Sequence, residues 1–312
     1  MLRQMSLRGC VLFAACLVGG LVPGAAGEFP PELTHWQPRP GNPVFSAAGP
    51  GHWDVKIRER GWILKHGDQW QMWFTGYDGT RAGVKSLGYA TSTDGLTWQR
   101  SGDQPVYAES WVEDMCVILD AGVYHMFAEG EGDRAQRLTS TDGVNWKRIG
   151  TLDVRLKDGT PIPEGPFGTP TVWLEDGVWN LFYERRDLGI WLARSHDLKV
   201  WTNLQDEPVL RIGPAEYDLD QIAMNQILKY KGRYYAVFHG AKKSAVEGQP
   251  SLWATGLAGS DDLIHWEKYP GNPLRPIAEN KSSGLLIPVG DGFRLYTMHS
   301  QVDAYDPVPA PR

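Results

Sequence analysis

Acidic residues recur in this sequence beside aromatic and apolar stretches: Trp53-Asp54 ahead of Arg58-Glu59-Arg60, Glu113-Asp114, Glu164-Gly165-Pro166-Phe167, Tyr217-Asp218-Leu219-Asp220, and Glu279. Four more titratable residues, Glu129, Glu184, His239 and His299, each close a run rich in aromatic and β-branched side chains. Taken singly, such a carboxylate is ordinarily a solvated loop charge or a turn cap. Gathered at one mouth, the set means something else, because crowded like charges repel and displace one another's pKa values. Such a cluster suits general acid–base work, with one carboxyl kept protonated to donate and another ionised to accept a proton or attack.

Repeats indicate how the acids are gathered. The segments Ser92-Thr93-Asp94-Gly95-Leu96-Thr97-Trp98, Ser140-Thr141-Asp142-Gly143-Val144-Asn145-Trp146, Ser195-His196-Asp197-Leu198-Lys199-Val200-Trp201 and Ser260-Asp261-Asp262-Leu263-Ile264-His265-Trp266 share one frame, an aspartate four residues before a tryptophan. The aspartates are 48, 55 and 65 residues apart, room for a four-stranded blade with variable loops. Each segment reads as a tight turn joining a blade's two outer strands. Upstream stand five hairpins, Trp62 to Thr75, Cys116 to Glu129, Thr171 to Glu184, Gln226 to His239 and Leu286 to His299. The missing fifth outer strand is expected at the chain's start, where His35-Trp36 followed by Pro40-Gly41-Asn42-Pro43 matches Trp266 followed by Pro270-Gly271-Asn272-Pro273. The expectation is an all-β, five-bladed β-propeller of four-stranded antiparallel blades, its ring closed by the N-terminal segment. In such a blade the approach to the first strand and the end of the second share one face, so the acids form a ring at the channel mouth.

Composition narrows the partner. Met1 to Gly27, with Arg3, Arg8 and the apolar run Cys10 to Val22, reads as a signal peptide, leaving one domain from Glu28 to Arg312 in an exported protein. No stretch has the length of a membrane helix. Losing Arg3 and Arg8 takes the formal charge from −6 to −8, which offers nucleic acid no electrostatic footprint. Cys10 and Cys16 leave with the signal, so Cys116 has no partner for an internal disulfide. A neutral, hydroxyl-rich ligand fits the charge, and the 14 tryptophans and 12 tyrosines suit sugar rings as well as a propeller core. No His/Cys cluster has zinc spacing, so no catalytic metal or cofactor is expected. Calcium at Asp218 and Asp220 has no loop motif behind it. Arg58, Arg60, Arg185 and Arg186 are expected to pair with neighbouring acids rather than to bind an anionic sugar or phosphate. Oligomeric state is not legible.

The stretch Gly88-Tyr89-Ala90-Thr91-Ser92-Thr93-Asp94-Gly95-Leu96-Thr97-Trp98 resembles the outer-strand signature of the five-bladed glycosidases of families 43 and 32 and their relatives, and the likeness runs from Glu28 to Ser300. It implies a glycosidase that releases terminal sugars from plant, algal or microbial glycans. Glu164-Gly165-Pro166 is similar to the Glu-Gly-Pro stretch carrying the family 43 general acid, which assigns that role to Glu164. Asp114 falls where these enzymes place the aspartate that orients the acid and adjusts its pKa, with Glu113 as its rival. The base is assigned to Asp54 first and Glu59 second, since this chain reads Arg58-Glu59-Arg60-Gly61 where the family places Asp-Pro. Glu59, Glu113, Glu129, Glu184, Asp218, Asp220, His239 and His299 would then line the substrate site. Family 43 implies inversion; family 32 implies a nucleophilic Asp54 and retention. Two alternatives stand beside the hydrolase: a non-catalytic carbohydrate-binding propeller, and a phosphorylase of the family 130 type with an Arg/His phosphate site.

Overall fold

The structure, a computed structural model, describes residues 29–308 except 81, 245 and 247; the expected signal peptide lies outside the described residues. Five antiparallel sheets make five blades. Blade one runs Lys56–His66, Gln69–Tyr77, Ser86–Ser92 and Gln99–Arg100, and blade two Glu113–Asp120, Val123–Gly130, Arg134–Ser140 and Lys147–Thr151. Blade three is Thr171–Glu175, Val178–Glu184, Gly189–Ser195 and Val200–Asn203, with Asp153–Arg155 added in parallel outside the last strand and Leu210–Arg211 beside the third. Blade four is Gln221–Tyr230, Arg233–Lys242, Leu252–Ser260 and Trp266–Lys268. Blade five combines Gly284–Val289, Gly292–Thr297 and Asp303–Pro307 with Trp36–Pro38, which runs antiparallel to Asp303–Pro307. Each blade's first strand touches the first strands of both neighbours, so these five strands form a closed ring around the axis.

The turn motif folds by purely local chemistry. Ser92 Oγ accepts the Gly95 N–H at 2.9 Å, and Asp94 Oδ1 accepts those of Leu96 and Thr97 at 2.7 and 2.8 Å. The same bonds recur at Ser140 and Asp142, Ser195 and Asp197, and Ser260 and Asp262. The residue after each aspartate is left-handed: Gly95 and Gly143 adopt it freely, while Leu198 and Leu263 are driven to φ 61° and 69°. In three of the four motifs the closing tryptophan is an inter-blade anchor. Trp73 of blade one meets Trp146 of blade two edge-on at 6.1 Å, Phe127 meets Trp201 at 5.7 Å, and Phe182 meets Trp266 at 6.0 Å. Trp73 Nε1 also donates to Gly143 O, and Tyr296 of blade five to Gly95 O of blade one, both at 2.8 Å.

Arg60, fully buried, bridges blades at the axis. Its Nη1 donates to Thr171 Oγ1 (2.5 Å), Met224 O (2.7 Å) and Asn225 O (2.9 Å), and its Nη2 to Pro170 O (2.8 Å) and Asp114 O. One side chain from blade one thus reaches blades two, three and four. Gly61 lets it do so, since a Cβ there would stand 2.4 Å from Trp73 O and 2.5 Å from Met298 Cε. Gly61→Ala is therefore expected to cost about 1–3 kcal/mol through overpacking, read as a lowered denaturation midpoint.

Candidate active site

The first strands deform where they approach the axis. Register breaks between Arg58 and Trp62, between Glu113 and Cys116, and between Met224 and Gln226. Glu59, Asp114, Thr169 and Ser283 take φ of 55°, 48°, 43° and 57°, left-handed values that non-glycine residues adopt at a cost. These bulges re-aim side chains out of the β ladder. Carboxylates from blades one, two and three, with His239 from blade four, line a cavity of about 420 Å³. Trp111 and Trp253 contribute aromatic faces to its wall.

Two glutamates share one piece of main chain. Glu129 and Glu184 lie at the ends of the second strands of blades two and three, one residue before the last and last respectively, and Gly168-Thr169 passes between them. The Gly168 N–H donates to Glu184 Oε1 at 2.8 Å and the Thr169 N–H to Glu129 Oε2 at 3.0 Å. A Cβ at Gly168 would meet Glu129 Oε2 at 2.0 Å and Glu184 Oε1 at 3.0 Å, so glycine is what lets both carboxyls come in. Asp187 N–H completes Glu184 by donating to Oε2 at 2.6 Å. Glu129 Oε1 has no hydrogen bond among the described residues.

Burial in a shared acidic pocket raises these groups. Desolvation, then Asp114, Glu113, Glu184 and Asp133, push Glu129 well above the usual carboxyl range. Desolvation lifts Glu184 to about 7, with its backbone N–H bonds opposing. Glu113, between Arg58 (3.1 Å) and Trp111 Nε1 (2.7 Å), is pushed up to about 8 by burial and by Asp114. Asp114 rises to about 7 through burial and Glu59, although Arg60 N–H donates to its Oδ1 at 3.2 Å. Glu59 is raised by burial against the pull of Arg58 at 2.6 Å. His239 is pulled down to about 3 by burial and Arg60, and is therefore neutral; its Nδ1 donates to Asn225 Oδ1 at 2.7 Å, leaving Nε2 as an acceptor.

Of the residues picked from sequence, Glu59, Glu113, Asp114, Glu129, Glu184 and His239 line this one cavity. His299 stands beside them, its Nδ1 3.8 Å from Glu59 Oε2. Glu164, Asp54, Asp218 and Asp220 do not line the cavity. Glu164 is exposed on a bend. Phe167-Gly168-Thr169-Pro170 intervenes between its Glu-Gly-Pro stretch and the strand, so Thr169 occupies in blade three the left-handed position that Glu59 and Asp114 hold in blades one and two. Asp54, 1 % exposed, accepts from the Ala48 N–H (3.2 Å) and pairs with Arg100 of blade one's last strand at 2.9 Å. Asp218 does the same work in blade four, fully buried and paired with Lys268 of the last strand. Each backs onto a glycine of the second strand, Gly76 or Gly240, where a Cβ would collide with the aspartate. Asp220 Oδ2 caps the Lys243 N–H at 2.8 Å. Both acids of the suggested calcium pair therefore have other partners.

The arginines also part ways. Arg58 pairs with Glu59 and Glu113, whereas Arg60 binds mainly main-chain carbonyls; Arg185 donates to Pro163 O and lies over Trp191. Asp133, Asp187, Gln221, Trp111 and Trp253 line the cavity without having been singled out. For Asp133 and Asp187 the available signal is position, since each lies in the turn just after the second strand that carries Glu129 or Glu184. Glu113, Asp114 and Glu129 each bring one oxygen within 4.8 Å of the others, the one such trio among the described residues and a spacing that could hold a cation. Arg58 and Arg60 supply positive charge beside it, while burial raises both Glu113 and Asp114.

The fold has known counterparts. A glycosyl hydrolase from Bacteroides ovatus superposes with a TM-score of 0.72 at 17 % identity, over 91 % of this chain and 97 % of that one. A structure described under the family 130 mannoside phosphorylases and glycoside hydrolases that target β-1,2-mannosidic linkages gives 0.67 at 16 %, over 89 % and 96 %. A thermostable family 43 glycoside hydrolase gives 0.54 at 15 %, over 82 % and 95 %. No family model matches the sequence, and no curated protein does. At these identities the likeness establishes the fold, the five-bladed propeller of glycoside hydrolases and their relatives. Among the described residues no helix is long and apolar enough to cross a membrane.

The buried pairs carry a testable consequence. Asp54→Ala and Asp218→Ala each remove a buried carboxylate from a partly exposed cation, so a loss of about 1–3 kcal/mol is expected in urea unfolding. Glu164→Gln should stay within about 0.5 kcal/mol of the parent protein.

Proposed function

We propose that this protein is an exported glycoside hydrolase acting on terminal sugars, with Glu129 as proton donor and Glu184 as its ionised partner. The observation that carries this reading is the Glu129–Glu184 pair, bound to adjacent N–H groups of Gly168-Thr169 and lining a cavity that Trp111 and Trp253 also line. Glu129 is the donor because burial and then the neighbouring acids favour its protonated form and its Oε1 is free to hold the proton. Glu184 is the carboxylate because both its oxygens already accept N–H bonds, which a proton would displace. Both carboxyls come within 3.0 Å of the same point beside Gly168. A retaining course needs its two carboxyl groups roughly 5–5.5 Å apart with the sugar between them. In the retaining course, Glu184 attacks the anomeric carbon as the glycosidic bond breaks and Glu129 protonates the leaving oxygen. Water, deprotonated by Glu129, then attacks the same carbon and releases Glu184.

The phosphorylase alternative needs a cationic site beside the acid. Arg58 is engaged by two glutamates, so of the two arginines that line the cavity Arg186 is the one that could supply it. Incubation of wild-type protein with a panel of oligosaccharides, with and without phosphate, separates the two: free sugar in both mixtures supports hydrolysis, and sugar phosphate formed only with phosphate overturns it. Glu129→Gln and Glu184→Gln should each lower kcat by about 10²–10⁴-fold, with folding intact. Glycan binding without turnover in the wild type would instead establish the binding-module alternative.

The pH profile follows from the same pair. Glu184 must be ionised, so kcat/KM should fall as pH drops through about 7. Glu129 must be protonated, so activity should fall again only well on the alkaline side. A maximum at pH 5 would exclude these roles.

A further inference from the structure

One cavity-lining cation, Arg186, is left without a partner by the roles assigned above. Its side chain is exposed and makes no hydrogen bond or ion pair among the described residues. Its neighbour Asp187 is occupied elsewhere, accepting from Gln221 Nε2 at 2.7 Å. The turn that carries both is costly. Leu188 N–H donates to Arg185 O at 3.1 Å across a β-turn whose two central residues, Arg186 and Asp187, stand at φ 53° and 61°. Two consecutive left-handed residues are where Asn-Gly is preferred. Asp187 has a reason to be there, since its N–H holds Glu184. Arg186 has no such local reason. What its position provides is a guanidinium over the cavity, lying 3.4 Å from where a Cβ would stand on Gly165. Asp133, from blade two, lines the same cavity and forms no ion pair with it.

Resting on the glycosidase reading, we propose that Arg186 is a specificity residue that binds an oxyanion carried by the glycan, a uronate carboxylate or a sulfate ester, in a subsite beside Glu184. The planar guanidinium matches either group with two parallel N–H bonds. Asp133 complements it as an acceptor for the same sugar's hydroxyls. Arg185 cannot substitute, since it is held by Pro163 O and Trp191.

The test is calorimetric binding to wild type, Arg186→Asn and Arg186→Lys. The ligands are a uronate-bearing oligosaccharide, its carboxyl-reduced neutral counterpart, a sulfated analogue and inorganic phosphate. Asparagine tolerates the left-handed turn, so Arg186→Asn should fold at least as stably as the parent. Wild type should prefer an anionic glycan over its neutral counterpart by about 10- to 100-fold, the range of a charge-assisted hydrogen bond. Arg186→Asn should abolish that preference without weakening neutral binding, and Arg186→Lys should retain only part of it. Which anionic ligand gains distinguishes carboxylate from sulfate. Equal binding of neutral and anionic glycans, or a preference that survives in Arg186→Asn, overturns the subsite and leaves the hydrolase reading standing. Loss of free-phosphate binding alone would assign Arg186 to a co-substrate and also overturn it. Failure of every glycan to bind removes the hydrolase reading and this inference with it.

Discussion

The hydrogen bonding of Arg60 is the constraint on which the site depends. A ring of five first strands converges on an axis where main-chain groups near the strand ends lose regular ladder partners, and buried carbonyls need donors. Arg60 supplies them from one side chain, to Asp114, Pro170, Met224 and Asn225, with Thr171 Oγ1 as well. The bulges accompany this arrangement: Glu59 and Asp114 are left-handed at the same strand ends that flank the guanidinium or bond to it. The backbone distortion that serves the arginine therefore also delivers carboxylates to the cavity. The charge matters too. A buried guanidinium held by carbonyls and a hydroxyl, with no carboxylate oxygen on its Nη atoms, stands as an uncancelled positive charge beneath a group of acids. That lessens the repulsion among Asp114, Glu129 and their neighbours.

What could be read from sequence was what local chemistry decides. The Ser-x-Asp turns close on N–H groups two and three residues away, so their spacing fixed the blades, and counting from each inner hairpin turn placed Glu129, Glu184 and His239 on one face. The same counting fails by one residue in blade five. There Met298, buried beside Gly61, takes the equivalent place and His299 reaches Glu59 from beyond the strand. Asp54 and Asp218 were not separable from catalytic acids in sequence, because what fixes them lies about fifty residues away: Arg100 and Lys268 on the outer strands. Glu164 shows the limit of a short motif. Its match to a Glu-Gly-Pro stretch holds in letters, but Phe167 to Pro170 displace it from the strand, and the segment contributes N–H donors in place of an acid.

Equivalent positions in the five blades explain why the chemistry is one-sided. The residue six places into the second strand is Thr75, Glu129, Glu184, His239 or Met298. Thr75 Oγ1 donates to Val112 O, tying blade one to blade two, and Met298 packs against the Gly61 backbone, so two of the five places are given to holding the ring. Only blades two and three place adjacent acids there, and only between them does a segment such as Gly168-Thr169 offer both a donor to each acid and the absence of a side chain. Main-chain N–H groups cannot leave, change rotamer or titrate, so they hold the two carboxyls in register while the surrounding acids set which one carries the proton. The pair is thus defined by the connection between two blades, and the repeat supplies the scaffold on which one connection is made different from the others.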